Sequence, residues 1–444
     1  MALSGIQIYK LLPQTNCKDC GYPTCLAFAM KLAAKQAELA LCPHVSEESA
    51  SKLSAAAQPP VRPMALRSNG FEVKAGAETV LFRHEKTFVN RPGLFVRVRD
   101  SDSADAIQAK VRAADAYTVD YVGMDLTLDG IAVQADGGDF AAAVQAVRAV
   151  SQRPLLLFAG AEALKAGLSL LAAGEIPLLG VADAENWQEM AALAKQAGAP
   201  LAVAGASVDA LVDLAQKVKE AGVADIVLAP AQRSLLGVLK ANTIIRRMAL
   251  KKNFRPLGYP ILSFPGDWGD PAREAVLAGQ AIAKYSGFIV LDHFAPEVAY
   301  PLLVLRENIY TDPQKPIQVT PGIYEINNPG PDDPVLVTTN FSITYFSVAN
   351  EVEGSGNKAW MLVADAEGMS VLTAWAAGKF DAERIAKDVK RFGVADKVGR
   401  KRIVLPGHVA VLSGELEEEL PDWEVRVGPR EAVDLPKFMK QVLV

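Results

Sequence analysis

The sequence predicts a multidomain α/β chain in three parts: a small cysteine-bearing N-terminal domain, a central (β/α)8 TIM barrel and a C-terminal open α/β sheet of Rossmann or flavodoxin type. Three observations carry this prediction. All four cysteines fall between positions 17 and 42 of a 444-residue chain. A long middle region alternates short, continuously apolar runs with helix-length segments. A Pro/Gly-rich stretch, TPGIYEINNPGPDDP, then precedes a second and shorter alternation.

The bulk numbers bound the function. The chain is too long for one ordinary core, half its residues are apolar, and the net charge is −5 with acids and bases interleaved. An extended nucleic-acid surface would need clustered Lys and Arg, so nucleic acid is excluded as a partner. No apolar run reaches the roughly 18 residues of a membrane span. The start of the chain lacks the marks of a signal peptide, so no membrane partner and a cytoplasmic location are expected.

Residues 1–57 form the first domain. The spacing Cys17-x2-Cys20-x4-Cys25-x16-Cys42-Pro43 places three thiols within nine residues and a fourth after the short helix LAFAMKLAAKQAELA. Four thiolates suit soft iron and complete the corners of a [4Fe–4S] cluster. Gly21 and Pro23 turn the chain between ligands. Structural zinc, which prefers paired C-x2-C knuckles, and a disulfide are the competing readings. Four cysteines leave no vacancy for His44, which is expected on the surface with Lys10, Lys18 and Asp19; Lys18 is close enough in sequence to tune a cluster.

The first domain ends in a loose connector, SAAAQPPVRPMALRSNG (54–70), and residues 58–92 are expected to be linker and then a hairpin over about 70–90. Residues 93–325 supply eight strand candidates: LFVRV (94–98), VDYVGM (119–124), PLLLFA (154–159), PLLGVA (177–182), PLAVAG (200–205), DIVLAP (225–230), YPILSF (259–264) and FIVLDH (288–293). Strands apolar throughout are buried on both faces and hence parallel, and eight of them with intervening helices close a barrel. Asp100, Asp125, Asp183 and Asp292 lie near strand ends, where barrel enzymes place catalytic groups, but they form no acid/base pair or metal set. Helix capping and loop solvation account for each, and the barrel is expected to be a scaffold whose substrate pocket is lost or vestigial.

Residues 326–444 read as four strands, VLVTTN (335–340), WMLVADAEG (360–368), RIVLPGH (402–408) and WEVRVGP (423–429), with helices between them. Ligands of such sheets bind beyond the carboxyl ends of the strands. That edge offers Thr339, Asn340, Ser342 and Thr344 after the first strand. Gly368, Met369, Ser370, Val371, Leu372 and Thr373 follow the second, Gly407 and His408 the third, and Gly428 and Pro429 the fourth. Ordinary tight turns compete with binding at each position; as a set on one edge they favour binding.

The run IYKLLPQTNCKDCGYPTCLAFAMKLA…CP, followed by linker, barrel and small α/β domain, resembles the large (gamma) subunit of the corrinoid iron–sulfur protein family of the reductive acetyl-CoA (Wood–Ljungdahl) pathway, over essentially the whole chain. The resemblance implies that the C-terminal domain binds a cobamide, with the candidate cofactor contacts just named. It implies a methyl carrier cycling between Co(I) and methyl-Co(III) within a corrinoid-dependent methyltransferase system for anaerobic carbon fixation. Methyl would come from methyltetrahydrofolate through a separate methyltransferase and pass to acetyl-CoA synthase. The [4Fe–4S] cluster would reductively reactivate Co(II) with electrons from a donor such as ferredoxin, and a small subunit would complete a heterodimer. The chain has no Asp-x-His-x-x-Gly motif: neither His408 nor His293 has an Asp two residues before it. The resemblance therefore implies a base-off cobalt without a protein histidine, which eases reduction to a four-coordinate state. The alternatives from other classes are a pterin-dependent methyltransferase using the barrel and an iron–sulfur flavoprotein electron carrier. Movement of the terminal domains is expected at hinges near 58–66 and 320–334.

Overall fold

A computed structural model describes residues 5–34, 36–50, 53, 59–121, 124–312 and 317–443. These fall into two compact units. One holds the described residues through Thr118 together with Leu126–Tyr310; the other holds Val119–Asp125 with the described residues from Thr311 on.

In the first unit a helix Gly5–Tyr9 lies against a second helix, Cys25–Ala33. The second helix stops at Ala33, and a single 3-10 turn, Leu39–Leu41, leads to Cys42. It is therefore shorter than the continuous segment expected between Cys25 and Cys42. Residues 54–58 of the expected linker lie outside the described residues. The rest of that stretch packs on the barrel: Arg62 donates its amide to Gly258 (2.9 Å) and its guanidinium to Asp225 (2.6 Å). Strand β1 (Met64–Ser68) begins where a linker is expected and pairs antiparallel with β2 (Phe71–Ala75). The hairpin thus occupies 64–75 instead of 70–90. Its buried Met64, Leu66, Val73 and Ala75 join the barrel's interior core, and Val73 packs at Gly93, the first residue of the first barrel strand. The hairpin plugs the amino-terminal end of the barrel.

The barrel closes through β3 (Gly93–Arg99), β6 (Gly130–Gln134), β7 (Leu155–Phe158), β8 (Leu178–Ala182), β9 (Leu201–Gly205), β10 (Ile226–Pro230), β11 (Ile261–Ser263) and β12 (Ser286–Leu291), with β12 pairing back to β3. Seven of the eight expected strands are present. The segment 119–124 is instead part of a two-stranded arm, β4 (Thr118–Tyr121) and β5 (Met124–Thr127), and its barrel place is taken by β6. The reason is visible in burial: β4 alternates exposed and half-buried residues, whereas β6 is buried at four of five positions. Helices are capped where the sequence supplies oxygens, as Ser103, Asp139, Ser207 and Asp270 each accept a backbone amide in the first turn.

The second unit is an open sheet in the order β13-β15-β14-β16-β17: β13 (Gly322–Ile326), β14 (Val335–Thr339), β15 (Ala359–Ala364), β16 (Arg402–Leu405) and β17 (Glu424–Val427). Four strands run parallel as expected. The fifth, β13, pairs antiparallel with β15 along its whole length, Gly322 to Val363 through Ile326 to Ala359. The expected hinge over 320–334 thus contains a sheet strand; residues 313–316, just before it, lie outside the described residues. Helices cover both faces, one core gathering Phe380, Ile385, Leu412 and Trp423, the other Val352, Met361, Leu435 and Met439.

Candidate functional site

Two sites stand out, one in each unit. The first is the cysteine loop. Gln14, Asn16 and Lys18 adopt left-handed backbone (φ 58°, 51° and 70°), as does Gly21 (φ 81°). Left-handed residues set among others are the backbone pattern from which anion-holding nests are built. Asn16 ties the loop to the helix that follows: its Oδ1 accepts from the Cys25 amide (2.8 Å), and its own N–H donates to Cys25 Sγ (3.4 Å). Thr24 caps that helix by accepting from the Ala27 amide, so Cys25 occupies the first helical position. Cys20, Cys25 and Cys42 pack into one small apolar cluster with Ile8, Leu12, Phe28 and Leu53.

Cys17 is exposed beside Asp19 and His44, the three ligand atoms lying within 4.8 Å of one another. His44 Nε2 meets Asp19 Oδ2 at 2.6 Å. The hydrogen bonds of His44 and Cys17 hold the Asp19 carboxyl below its usual range. This pair joins the segment after Cys42 to the loop between Cys17 and Cys20, a role the sequence reading missed by treating both residues as solvated. Four cysteines, a donor set of soft sulfur, suit a cubane iron–sulfur cluster better than a closed zinc knuckle.

The second site is a cleft of about 580 Å³ at the carboxyl edge of β14, β16 and β17. Of the candidate residues, Thr344, Ser370, Val371, Leu372, His408, Gly428 and Pro429 line it, with Thr338, Ser347 and Arg430 added by the fold. Thr338 is 1 % exposed and its hydroxyl has no protein partner. A buried hydroxyl without a partner costs free energy unless something completes it. It is the strongest local mark of a ligand here, and it was overlooked because the sequence pattern reads it as ordinary strand interior.

Other candidates have structural duties. Asn340 is buried; its Oδ1 accepts from the Ala366 and Gly368 amides (2.9 Å each) and its Nδ2 reaches Gln318 and Asp365. It latches the loop after β15 and is not a free ligand donor. Gly368 has φ 73° and gives its amide to that latch, while Met369 packs against the core. Ser370 and Thr373 bond to each other (3.0 Å) at the start of the helix Val371–Ala376. Gly407 marks a close crossing of loops, since a Cβ there would stand 2.5 Å from the Gly428 carbonyl oxygen. Ser342 opens the helix Ser342–Gly354. His408 lies 3.9 Å from Glu431 at the rim.

The barrel carboxylates divide. Asp100 accepts the Asp136 and Gly138 amides, and Asp183 those of Glu185 and Asn186, as local capping predicts. Asp125 is exposed on the β4–β5 arm. Asp292 differs from expectation: it bonds Arg97 (3.1 Å) and Arg99 (2.8 Å). Burial opposes its charge, yet those two guanidinium groups keep its carboxyl below the usual range.

Residues 65–439 match the CO dehydrogenase/acetyl-CoA synthase delta subunit family, and residues 12–44 match an Fe–S cluster family. The chain is 43% identical over 444 residues to the corrinoid/iron–sulfur protein large subunit of Moorella thermoacetica, covering 99% of each chain. It is 35% identical to the acetyl-CoA decarbonylase/synthase complex subunit gamma of Archaeoglobus fulgidus, covering 97% of this chain and 96% of that one. To the subunit of the same name in Methanopyrus kandleri it is 33% identical, covering 99% and 98%. Among the described residues no helix is long and apolar enough to cross a membrane.

Proposed function

The chain belongs to the family of corrinoid/iron–sulfur protein large subunits, and from that premise we propose that it is a methyl carrier whose cobalt is kept active by its own iron–sulfur cluster. The observation that carries the reading is the presence in one chain of a four-cysteine loop region and a strand-edge cleft lined by an unpartnered buried hydroxyl. When bound, a cobamide supplies a metal that accepts and releases a methyl group, and a [4Fe–4S] cluster supplies single electrons at low potential.

The chain's own residues then have definite tasks. Cys17, Cys20, Cys25 and Cys42 would hold the cluster. The Asn16 amide on Cys25 Sγ withdraws charge from that sulfur and helps set the potential. In the cleft, Thr338, Thr344 and Ser370 offer hydroxyls and Gly428 offers close backbone approach, suited to the amides and phosphate that surround a corrin. Val371, Leu372 and Pro429 provide apolar wall. His408 lines the cleft and lies 3.9 Å from Glu431; because the chain lacks an Asp-x-His-x-x-Gly motif, no histidine of this chain would be assigned to the metal. Asn340 and Gly407 keep the loops of the cleft in place.

The partners follow from the same reading: a small subunit completing a heterodimer, a methyltransferase that draws on methyltetrahydrofolate, acetyl-CoA synthase as acceptor, and a ferredoxin-like donor in the cytoplasm. The test is the absorption spectrum of the anaerobically purified protein. Iron–sulfur and corrinoid bands together, the latter sharpening on reduction, are expected. Flavin bands, or a cluster spectrum with no second chromophore, would overturn the reading.

A further inference from the structure

Barrel interiors are filled by stacked layers of inward side chains, mostly bulky and aliphatic. The lower layers here obey that rule, with Phe95, Leu156, Leu178, Val227, Leu262 and Phe288 in one core. Two residues further along the strands the pattern changes. The positions above Phe95, Ala132, Ala202 and Val227 are Arg97, Gln134, Ala204 and Ala229. Small residues on one side and charged ones on the other leave a cavity of about 200 Å³, lined by Arg97, Gln134, Val181, Ala204, Ala229, Arg233, Phe264 and Asp267.

The charge there is arranged for a purpose other than packing. Arg97 is 5 % exposed and bonds Asp267 (2.7 Å) and Asp292 (3.1 Å) through Nη1 and Nε. Arg233, at the rim, bonds the other oxygen of Asp267 (2.8 Å) and backbone carbonyls, again through Nε and Nη1. Arg99 shares Asp292, and Lys110 spends its charge on the carbonyls of Arg97 and Asp292. Three guanidinium groups therefore share the two carboxylates Asp267 and Asp292, with Lys110 held beside them on backbone carbonyls. Acids outside the cavity face the outer cations: Asp136, exposed and 3.8 Å away, and Asp102 act on Arg99, Asp102 acts also on Lys110, and the buried Glu274 is committed to His293 and its backbone. None of these three carboxylates lines the cavity, where Arg97 and Arg233 share Asp267. A buried ion network is usually no more stabilising than well-packed aliphatic residues, and the empty volume beside it adds a further cost. The bonds of Arg97 and Arg233 to Asp267, Asp292 and the backbone use Nε and Nη1, leaving Nη2 as a further donor on each, and both side chains line the cavity with Val181, Ala204, Ala229 and Phe264.

We propose that the carboxyl-terminal mouth of the barrel is a binding site for a small organic anion, whose carboxylate meets Arg97 and Arg233 and whose flat apolar body lies on Ala204, Ala229 and Phe264. Size agrees: an apolar cavity of about 150 Å³ accommodates benzene, so the larger volume here admits a ring with one carboxylate. The site is separate from the cysteine loop and the strand-edge cleft, and it stands whether or not the methyl-carrier reading does.

The test uses the full chain with its cofactors, benzoate as the probe and benzamide as its neutral counterpart, followed by saturation-transfer NMR and titration calorimetry. Saturable benzoate binding is expected, with benzamide at least tenfold weaker. Arg233→Ala, at a partly exposed rim position, should keep the fold and weaken benzoate at least tenfold, about 1.4 kcal/mol. Ala229→Leu should fill the cavity and abolish binding. Benzoate affinity unchanged in Arg233→Ala, benzamide binding as tightly as benzoate, or no saturable binding in the parent chain would each overturn the proposal.

Discussion

Replacing Asn340 by Ala should loosen the loop that borders the strand-edge cleft without touching the barrel. The magnitude follows from two hydrogen bonds. The amides of Ala366 and Gly368 both donate to Asn340 Oδ1 at 2.9 Å, and Asn340 is 1 % exposed. Each buried donor left without an acceptor costs about 1–3 kcal/mol. A water entering the vacated space would recover part of this, so a net loss of about 2–4 kcal/mol in the C-terminal unit is expected. Hydrogen exchange resolved by peptide is the assay, because it separates the two units. Residues 365–369 should lose protection while the barrel strands keep theirs. Thr373→Ala, at an exposed position, serves as the control and should change stability by less than about 0.5 kcal/mol. A loss below about 1 kcal/mol with unchanged exchange at Gly368 would show that the side chain is not the latch described here.

Three further outcomes are expected. Asn16→Ala removes the acceptor of the Cys25 amide; reconstitution with iron and sulfide should yield less cluster per chain than the parent, measured by iron content and visible absorption. Glu78→Ala leaves the Arg246 guanidinium buried beside Tyr285 and removes the acceptor of the Val89 and Asn90 amides, so the barrel should lose about 3–5 kcal/mol in urea unfolding. Burial pushes the Asp388 carboxyl up. The folded state therefore binds that proton more tightly than the unfolded chain, and the C-terminal unit should lose stability as pH rises from about 4 through the raised value. Asp388→Asn should abolish that decline. Comparing urea midpoints of the two proteins across this range cancels the opposite trend from Glu424, which Arg402 and Arg426 hold low.

Much of this architecture is legible in the sequence because burial on both faces writes parallel strands as unbroken apolar runs. The same rule fails at 119–124. VDYVGM is apolar enough for a barrel strand, yet β4 is only half-buried at Val119 and Tyr121, and Tyr121 packs instead against the core of the C-terminal unit. Conversely, GIAVQ is short and opens on glycine, and it is absent from the expected strands although β6 is a barrel strand. Met64–Ser68 is hidden by the prolines before it and by Arg67 within it, even though its burial alternates as a hairpin strand should. At the candidate sites, cysteine spacing announces the cluster loop, but the left-handed backbone at Gln14, Asn16 and Lys18 leaves no clear sequence mark. Asn340 is correctly placed at the strand end, yet its engagement with the protein's own backbone depends on the fold of the loop after β15. The alternation VRVR in β3 does hold a trace of Arg97 inside the barrel, since position 97 shares a face with Phe95.

The central claim is that the cluster repairs the cobalt, and Cys20→Ala tests it most directly. The rate at which reduced ferredoxin converts bound Co(II) to the active state should be followed by cobalt electron paramagnetic resonance in the parent and the variant. In a parallel sample the cobalt is reduced chemically beforehand and methyl transfer is timed. The account predicts that Cys20→Ala abolishes reactivation by ferredoxin while leaving methyl transfer from the pre-reduced protein unchanged. Reactivation at the parent rate in a variant lacking its cluster would contradict it.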